Sequence, residues 1–212
     1  MEHSQIVQDA IERSLQLSNW IVERHPARFE HGDGNTLAIA FYAIALEHRE
    51  AIVLLIGHGA RTSAFALARS MYEANLKGSW ARYCASEETL IRAFDQGILP
   101  GFDIMVRQLG KVPGSENVFR RSKDMAWSGL SDFAHGGMKQ VIRWVGEEGI
   151  APRHTDVEVC ELLALMNSYA LISAAGIVDL CGGDSAPHSA KHTEEMEAFK
   201  RWKGSAWRDG AA

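Results

Sequence analysis

The sequence predicts an all-α fold: a bundle of four to five long helices with short flanking helices, in one domain that spans residues 1–212. Two observations predict this class. Long segments with helical periodicity are separated by Gly and Pro, and no segment alternates apolar and polar residues as a strand does. In addition, 46% hydrophobic and 23% charged residues is the composition of an ordinary globular protein with a sizeable core.

Three long helices are predicted in the first part of the chain. The first covers Ser4–Arg24 and ends before Pro26, which cannot continue a helix. The second covers Thr36–Ile56, with Asn35 as its N-cap. The third covers Arg61–Ala85 and follows a break formed by two glycines.

Shorter helices follow, and two long ones complete the bundle. The fourth long helix is N-capped by Thr155 or Asp156 and reaches Cys181, and a last helix begins at Pro187. Residues from about 190 onward are expected to form a peripheral C-terminal helix and tail. The predicted short helices are Glu87–Gln96, Phe102–Leu109, Val118–Ala134 and Met138–Val145.

Charge and cysteine content indicate the surroundings of the chain. A formal net charge of −5 argues against a protein that coats nucleic acid, although a local basic patch is compatible with it. Cys84, Cys160 and Cys181 are far apart and form no CxxC pair, which is typical of free thiols in a reducing compartment. The N-terminal residues carry acids and lack an apolar signal region. We therefore expect a cytoplasmic protein.

Two apolar stretches are long enough to raise the question of a membrane span. The first, Leu37–Ile56, is interrupted at its centre by the charged run Glu47–Glu50. The second, Leu162–Val178, is slightly short for a bilayer and contains Asn167. Both are more simply explained as helices of a protein core, so we expect no membrane contact.

The third helix carries a charge on its apolar face. At about 100° per residue, Arg69 falls in a stripe formed by Phe65, Tyr72 and Leu76. A charge in such a position must be paired or hydrated, and Glu73, four residues later, is the nearest partner. The pair is interpreted either as an anion site, in which Glu73 holds the Arg69 guanidinium, or as a structural ion pair between helices.

Two further runs place polar groups where they are expected to face other helices. The run EHRE, Glu47–Glu50, covers nearly the whole helix circumference, so one or two of its side chains must point inward. In SDFAHGG, Asp132 and His135 are three residues apart and share a helix face. A carboxylate that orients an imidazole is a recurring acid–base arrangement, but a histidine also interacts favourably with a helix C-terminus.

Other chemistries have little support in the sequence. His188, His192 and Glu195 have the spacing of metal ligands, but the charged segment around them is more typical of an exposed helix start. The sequence contains no Glu-x-x-His of a di-iron bundle, no GxSxG elbow and no phosphate-binding GxxxxGK[ST] loop.

Residues 58–85, HGARTSAFALARSMYEANLKGSWARYCA, together with LSDFAHGGMKQ at 130–140, resemble an uncharacterised bacterial helical family that is similar to HEPN-like bundles. Many HEPN-like proteins belong to toxin–antitoxin and phage-defence systems. The resemblance implies Arg69, Glu73 and His135 as the polar site positions. It does not transfer ribonuclease activity, because the Arg and His of the nuclease motif match only Arg24 and His31, across a proline.

Three hypotheses follow. The first is a homodimeric HEPN-like bundle that binds a nucleotide or RNA phosphate and cleaves RNA without metal or cofactor, with His135 as general base, Arg69 stabilising charge and Glu73 holding Arg69. The second is a non-enzymatic helical interaction module whose Arg–Glu pair is structural. The third is a metal-dependent carboxylate/His enzyme.

Overall fold

The computed structural model describes residues 3–26, 33–115, 119–124, 134, 137–146 and 149–208, and within them the protein is predominantly α-helical. The long helices are α1 (Gln5–Val22), α2 (Asp33–Gly57), α3 (Arg61–Tyr83), α7 (Asp156–Leu180) and α8 (Ala186–Arg208). The short helices are α4 (Glu87–Gln96), α5 (Phe102–Leu109) and α6 (Met138–Ile142). Residues 119–124 are also helical. The predicted all-α class is thereby confirmed.

Most helix ends lie within two residues of the predicted ones, and at two boundaries the difference changes an assignment. Asn35 lies inside α2, which begins at Asp33, and is therefore not its N-cap; a glycine is tolerated in the first turn, where the N–H groups have no intrahelical partner. The helix predicted to reach Val145 ends at Ile142. Val145–Gly146 (β1) instead pairs antiparallel with Gly149–Ile150 (β2), and Gly149 has a φ of 122°, which side chains other than glycine rarely adopt.

Helix α7 is the centre of the bundle. It begins with a capping box, in which Thr155 and Glu158 bond each other's backbone N–H groups. It packs against α1, α2, α3 and α8, so its apolar residues are enclosed on several sides. Among the described residues it is the one helix long and apolar enough to cross a membrane, and 67% of that apolar window is buried inside the protein, as in the core helix of a soluble protein.

Helices α2, α3 and α7 approach one another closely around Tyr42, which is 1% exposed. Its ring lies against Gly78 of α3 and Gly176 of α7. A Cβ on Gly78 would come within 2.7 Å of the ring, and one on Gly176 would come closer still. Neither position has room for a side chain, so the two glycines set the separation of the three helices.

A charged side chain is fully buried in the described core: Arg49 is 0% exposed. Its Nε and Nη2 donate to the Asn167 side-chain oxygen at 3.1 and 2.8 Å, and its Nη1 donates to Glu50 at 2.6 Å. The remaining bonds go to the Ser18 hydroxyl and the Ser14 carbonyl on α1. A guanidinium has five N–H groups, and five hydrogen bonds surround this one. The expectation that the EHRE run places a side chain inside the bundle is confirmed.

This arrangement joins three helices, since its partners lie on α1, α2 and α7. Burial lowers the pKa of Arg49, and the Glu50 carboxylate counteracts this effect. Asn167 extends the same arrangement by donating to the Ser14 hydroxyl at 3.1 Å. The buried charge is therefore solvated by the protein itself, as a buried ion requires.

We expect Arg49→Ala to lower the free energy of unfolding by about 3–5 kcal/mol, because it leaves the buried side-chain oxygen of Asn167 without a donor and opens a cavity. Urea unfolding followed by circular dichroism measures this loss. Arg69→Ala is the matched control: that side chain is 16% exposed, and its loss should cost only about 1 kcal/mol. Equal losses in the two variants would contradict the central role of Arg49.

Candidate functional site

The predicted pair on α3 is present. Arg69 Nε donates to Glu73 Oε1 at 2.7 Å, and Lys77 lies 3.5 Å from the other oxygen of the same carboxylate. The two side chains of the pair are 16% and 27% exposed, so the pair is only partly buried. The neighbouring apolar stripe is as predicted: Tyr72 and Leu76 are almost completely buried.

The third predicted site residue, His135, lies outside the described residues, as do Asp132 and His31. A pocket shared by His135 and Arg69 therefore stays a prediction. Arg69 and Glu73 line neither of two prominent cavities in the described part of the chain. Helix α3 contributes a different arginine, Arg82, to one of these two cavities.

That cavity has a volume of about 550 Å³ and lies where α2, α3, α7 and the start of α8 meet the loop after α5. Its volume is within the range of small-molecule sites. Serine, glycine and alanine supply much of its wall, which leaves room for a ligand. Its chemically active side chains are Tyr42, Ser79, Arg82, Asp179, His188 and His192.

Arg82 and Asp179 are the two charged residues among those that line this polar cavity. They lie in the last turns of α3 and α7, and Arg82 Nη2 donates to Asp179 Oδ2 at 2.7 Å. Burial alone would raise the pKa of Asp179, but hydrogen bonds from Ser185 and Arg82 outweigh it and hold that pKa below its usual range. The carboxylate is therefore ionised at neutral pH and orients the guanidinium.

The Tyr42 hydroxyl lies beside this pair. It donates to Ser79 Oγ at 3.3 Å, and Ser79 in turn donates to the Asn75 carbonyl at 3.0 Å. Burial raises the pKa of Tyr42 to about 12, although the bond to Ser79 and the nearby Arg82 act in the opposite direction. Tyr42 therefore stays protonated at neutral pH and remains a hydrogen-bonding group.

Two histidines of α8 form the opposite wall. His192 is bonded through Nε2 to the Ser168 hydroxyl at 2.6 Å. His188 is 2% exposed and meets the edge of Trp20 at 5.0 Å, and neither of its ring nitrogens has a hydrogen-bond partner among the described residues. Buried polar atoms without partners are rare in native proteins, so His188 is a candidate for contact with a ligand or a water molecule.

Sequence reasoning found these histidines but assigned them to an exposed helix start, and the structure corrects this for His188. They do not form a metal site with Glu195, which is instead paired with Arg13 and Lys191. In the described part of the chain, no group of three or more His, Cys, Asp or Glu side chains is placed to hold a metal ion.

Arg82 and Asp179 were missed by sequence reasoning. Each is the single charge in the closing turn of its helix, and this signal could have been recognised. That these two turns meet depends on how the helices cross. Two further polar side chains of α3 have partners in the protein: Arg61 pairs with Asp156 at 2.8 Å, and Trp80 donates to Gln108 at 2.6 Å.

The environment of His188 predicts a pH dependence of stability. Burial and the charges of Arg24 and His25 lower its pKa from the ordinary 6.5, whereas Asp179 and Asp184 raise it. Below about pH 6.5 the unfolded chain therefore binds a proton at this position that the folded protein resists, so stability falls as the pH falls.

We expect the thermal midpoint to drop between pH 7 and about pH 5, and His188→Gln to make this drop smaller. The drop should persist in part, because burial also lowers the pKa values of His192 and His154. His58→Gln, at an exposed histidine, is the control. An unchanged slope in His188→Gln, measured by thermal denaturation across this range, would refute the assignment.

Comparison with known protein families assigns the chain to one of them. A family model matches residues 42–200, which is 159 of the 212 residues. This range contains every residue that lines the polar cavity, whereas α1 lies outside it. No curated protein matches the chain, and no solved structure does. Because the model covers three quarters of the sequence, the chain belongs to the family of unknown function DUF6988.

Proposed function

We propose that this protein binds a phosphate-bearing ligand, a nucleotide or the phosphate of an RNA, in the polar cavity. The observation that carries the proposal is the Arg82 guanidinium, held in the cavity wall by Asp179 beside the Tyr42 hydroxyl. An arginine has five N–H donors in a planar fork that suits phosphate oxygens. The bond to Asp179 uses one Nη2 donor, so most of the fork is left for a ligand.

The other residues that line the cavity favour a ligand that is an anion and accepts hydrogen bonds. Asp179 is the single acid of the cavity lining, and Arg82 balances it. The Ser189 hydroxyl adds a neutral donor around the same space. The two histidines are donors as well, and either gains a positive charge if an arriving phosphate raises its pKa.

The resemblance noted in the sequence supports a second proposal, which places the chemistry at a different site, that of Arg69, Glu73 and His135. In it the chain is a bacterial, cytoplasmic, HEPN-like homodimer that cleaves RNA without metal in a toxin–antitoxin or phage-defence setting. His135 takes the proton from a ribose 2′-hydroxyl, the 2′ oxygen attacks phosphorus, and the bond to the 5′ oxygen breaks as that oxygen accepts a proton. Arg69, held by Glu73, stabilises the charge on the phosphate oxygens.

We expect adenosine monophosphate to bind and adenosine, which lacks the phosphate, to bind far more weakly. Arg82→Gln should weaken adenosine monophosphate about 10- to 100-fold, because it removes charge-assisted hydrogen bonds. Asp179→Asn should leave the affinity unchanged or increase it, since it removes the acid that competes for Arg82. Isothermal titration calorimetry measures all of these affinities.

Arg92→Gln, at a 63% exposed arginine of α4, is the matched control and should bind like the unaltered protein. A larger loss in Asp179→Asn than in Arg82→Gln would show that the cavity prefers a cation and would refute the proposal. A loss in Arg69→Gln without a loss in Arg82→Gln would move the site to the pair that the sequence singled out.

The cleavage proposal has its own test. Purified protein should elute as a dimer and should cut a labelled RNA in the presence of EDTA. His135→Ala should abolish cutting while the thermal midpoint shifts by no more than a few degrees, as expected for a site residue that is not part of the core. Intact RNA after incubation with a folded, dimeric protein would leave ligand binding as the function and remove cleavage.

A further inference from the structure

The lining of the polar cavity has no net charge to offset an anionic ligand. Arg82 and Asp179 are the two charged residues among those that line it, and their charges cancel. Every phosphate ligand brings at least one negative charge at neutral pH, and moving that charge out of water is costly unless a positive charge meets it. A group of the lining that takes up a proton when the ligand binds would supply the missing charge.

The histidines are the groups of this lining that a small change in pKa protonates. Burial raises the pKa of Tyr42 to about 12 and also raises the pKa of Tyr83, so both phenols already hold their protons. The pKa of Asp179 is held below its ordinary 3.8, far from neutrality. Burial lowers the pKa values of His188 and His192 from the ordinary 6.5, so both are uncharged at neutral pH and much closer to protonation.

His188 is the better placed of the two histidines. Its side chain is 2% exposed, and neither of its ring nitrogens has a hydrogen-bond partner among the described residues. His192, in contrast, is bonded through Nε2 to the Ser168 hydroxyl. A neutral imidazole has one N–H and one bare nitrogen, and protonation turns both nitrogens into donors. The oxygens of a phosphate therefore offer acceptors that the described residues around His188 do not.

Charged groups on the elements around His188 act on the same proton. Arg24, just after α1, opposes protonation, and so does His25 when it is charged. Burial lowers the pKa of His25, so at neutral pH the opposing cation is Arg24. Asp179, in the last turn of α7, and Asp184, in the loop before α8, favour protonation. Burial is thus the main obstacle to the proton, and the negative charge of a ligand acts against that obstacle.

We propose that His188 takes up a proton from solvent when a phosphate binds in the polar cavity, so that an imidazolium and the Arg82 guanidinium both attract the ligand. This inference rests on the proposed function and adds its regulation: binding strengthens as the pH falls. An opposite charge within about 6 Å raises the pKa of a histidine by about one to three pH units, enough to carry a lowered value above neutrality. Because the His188 ring is almost completely buried, water screens this attraction little.

The probe is adenosine monophosphate, titrated by calorimetry at pH 7.5 in buffers that differ in ionisation enthalpy. The dependence of the binding heat on the buffer gives the number of protons taken up, and we expect about 0.5–1 per bound ligand. The ligand itself is almost fully dianionic at this pH, since its second pKa is about 6. Binding should accordingly be about three- to tenfold tighter at pH 7.5 than at pH 8.5.

The methyl ester of adenosine monophosphate separates protonation of the protein from protonation of the ligand. Its phosphate is a diester without a pKa near neutrality, so a proton taken up with this probe goes to the protein. We expect uptake with the ester as well. Uptake with adenosine monophosphate but not with the bound ester would place the proton on the ligand and overturn the proposal.

His188→Gln keeps a hydrogen-bonding side chain but removes the titrating group. It should lose most of the proton uptake, and its affinity should fall more at pH 7.5 than at pH 8.5. A residue that only supports the fold would change the affinity alike at both pH values. The controls are His192→Gln, at the other histidine of the lining, and His58→Gln, at an exposed histidine outside the cavity, and both should keep the uptake.

Uptake of fewer than about 0.2 protons by the unaltered protein contradicts the proposal without any variant, and therefore decides it even if His188→Gln does not fold. Equal uptake in His188→Gln and the unaltered protein contradicts it too, and a loss in His192→Gln alone moves the proton to that histidine. Adenosine monophosphate that binds through Arg82 without proton uptake refutes this inference and leaves the proposed function standing. Absence of binding at every pH between 6.5 and 8.5 refutes both.

Discussion

The bundle depends on one buried guanidinium. Arg49 lies in the middle of α2, shielded from water, and its bonds reach α1 through Ser14 and Ser18 and α7 through Asn167. An ion in that position is tolerated only when its donors are satisfied, which restricts the register of all three helices at once. Apolar contacts can slide by a turn at modest cost, whereas these directional bonds cannot. The hydrogen bonds of Arg49 therefore fix one alignment of α1, α2 and α7, which the apolar surfaces of α2 and α7 alone would not impose.

A second constraint lies further along the same helices. Tyr42 fills the space between α2, α3 and α7 because Gly78 and Gly176 have no side chains. The close approach brings the C-terminal turns of α3 and α7 together, and these turns carry Arg82 and Asp179. The polar cavity is thus a consequence of helix packing: the glycines allow the approach, Tyr42 sets its limit, and the charged residues that end the apolar helices meet at the edge of the core.

Helix α8 takes part in two concave surfaces. Its first turns supply His188 and His192 to the polar cavity, and its later turns supply Glu194, Glu195 and Phe199 to a groove between α1 and α8. The two surfaces also touch through Trp20 of the groove, whose edge packs on His188 of the cavity. The two surfaces differ in charge. The polar cavity is lined by one arginine and one aspartate, whereas the groove is lined by four acids and two bases.

Local sequence information was sufficient for several features. Helical periodicity and the glycine and proline breaks predicted the all-α class and the bounds of α4 and α5, because both signals act within a few residues. The i, i+4 spacing predicted the Arg69–Glu73 bond, since neighbouring turns of one helix bring those side chains together. The crowded EHRE run likewise required a polar side chain inside the protein.

Only the tertiary structure decided which side chain of the EHRE run is buried and which residues form hydrogen bonds with it. Arg49 finds Asn167, and Arg82 finds Asp179, on a helix that lies far away in sequence. Such pairings depend on the crossing angles and separations of helices, which follow from packing across the whole bundle and leave no periodic signal in the chain. His188 shows the same limit: its charged neighbours in sequence suggested exposure, but the approach of Trp20 and the end of α7 buried it.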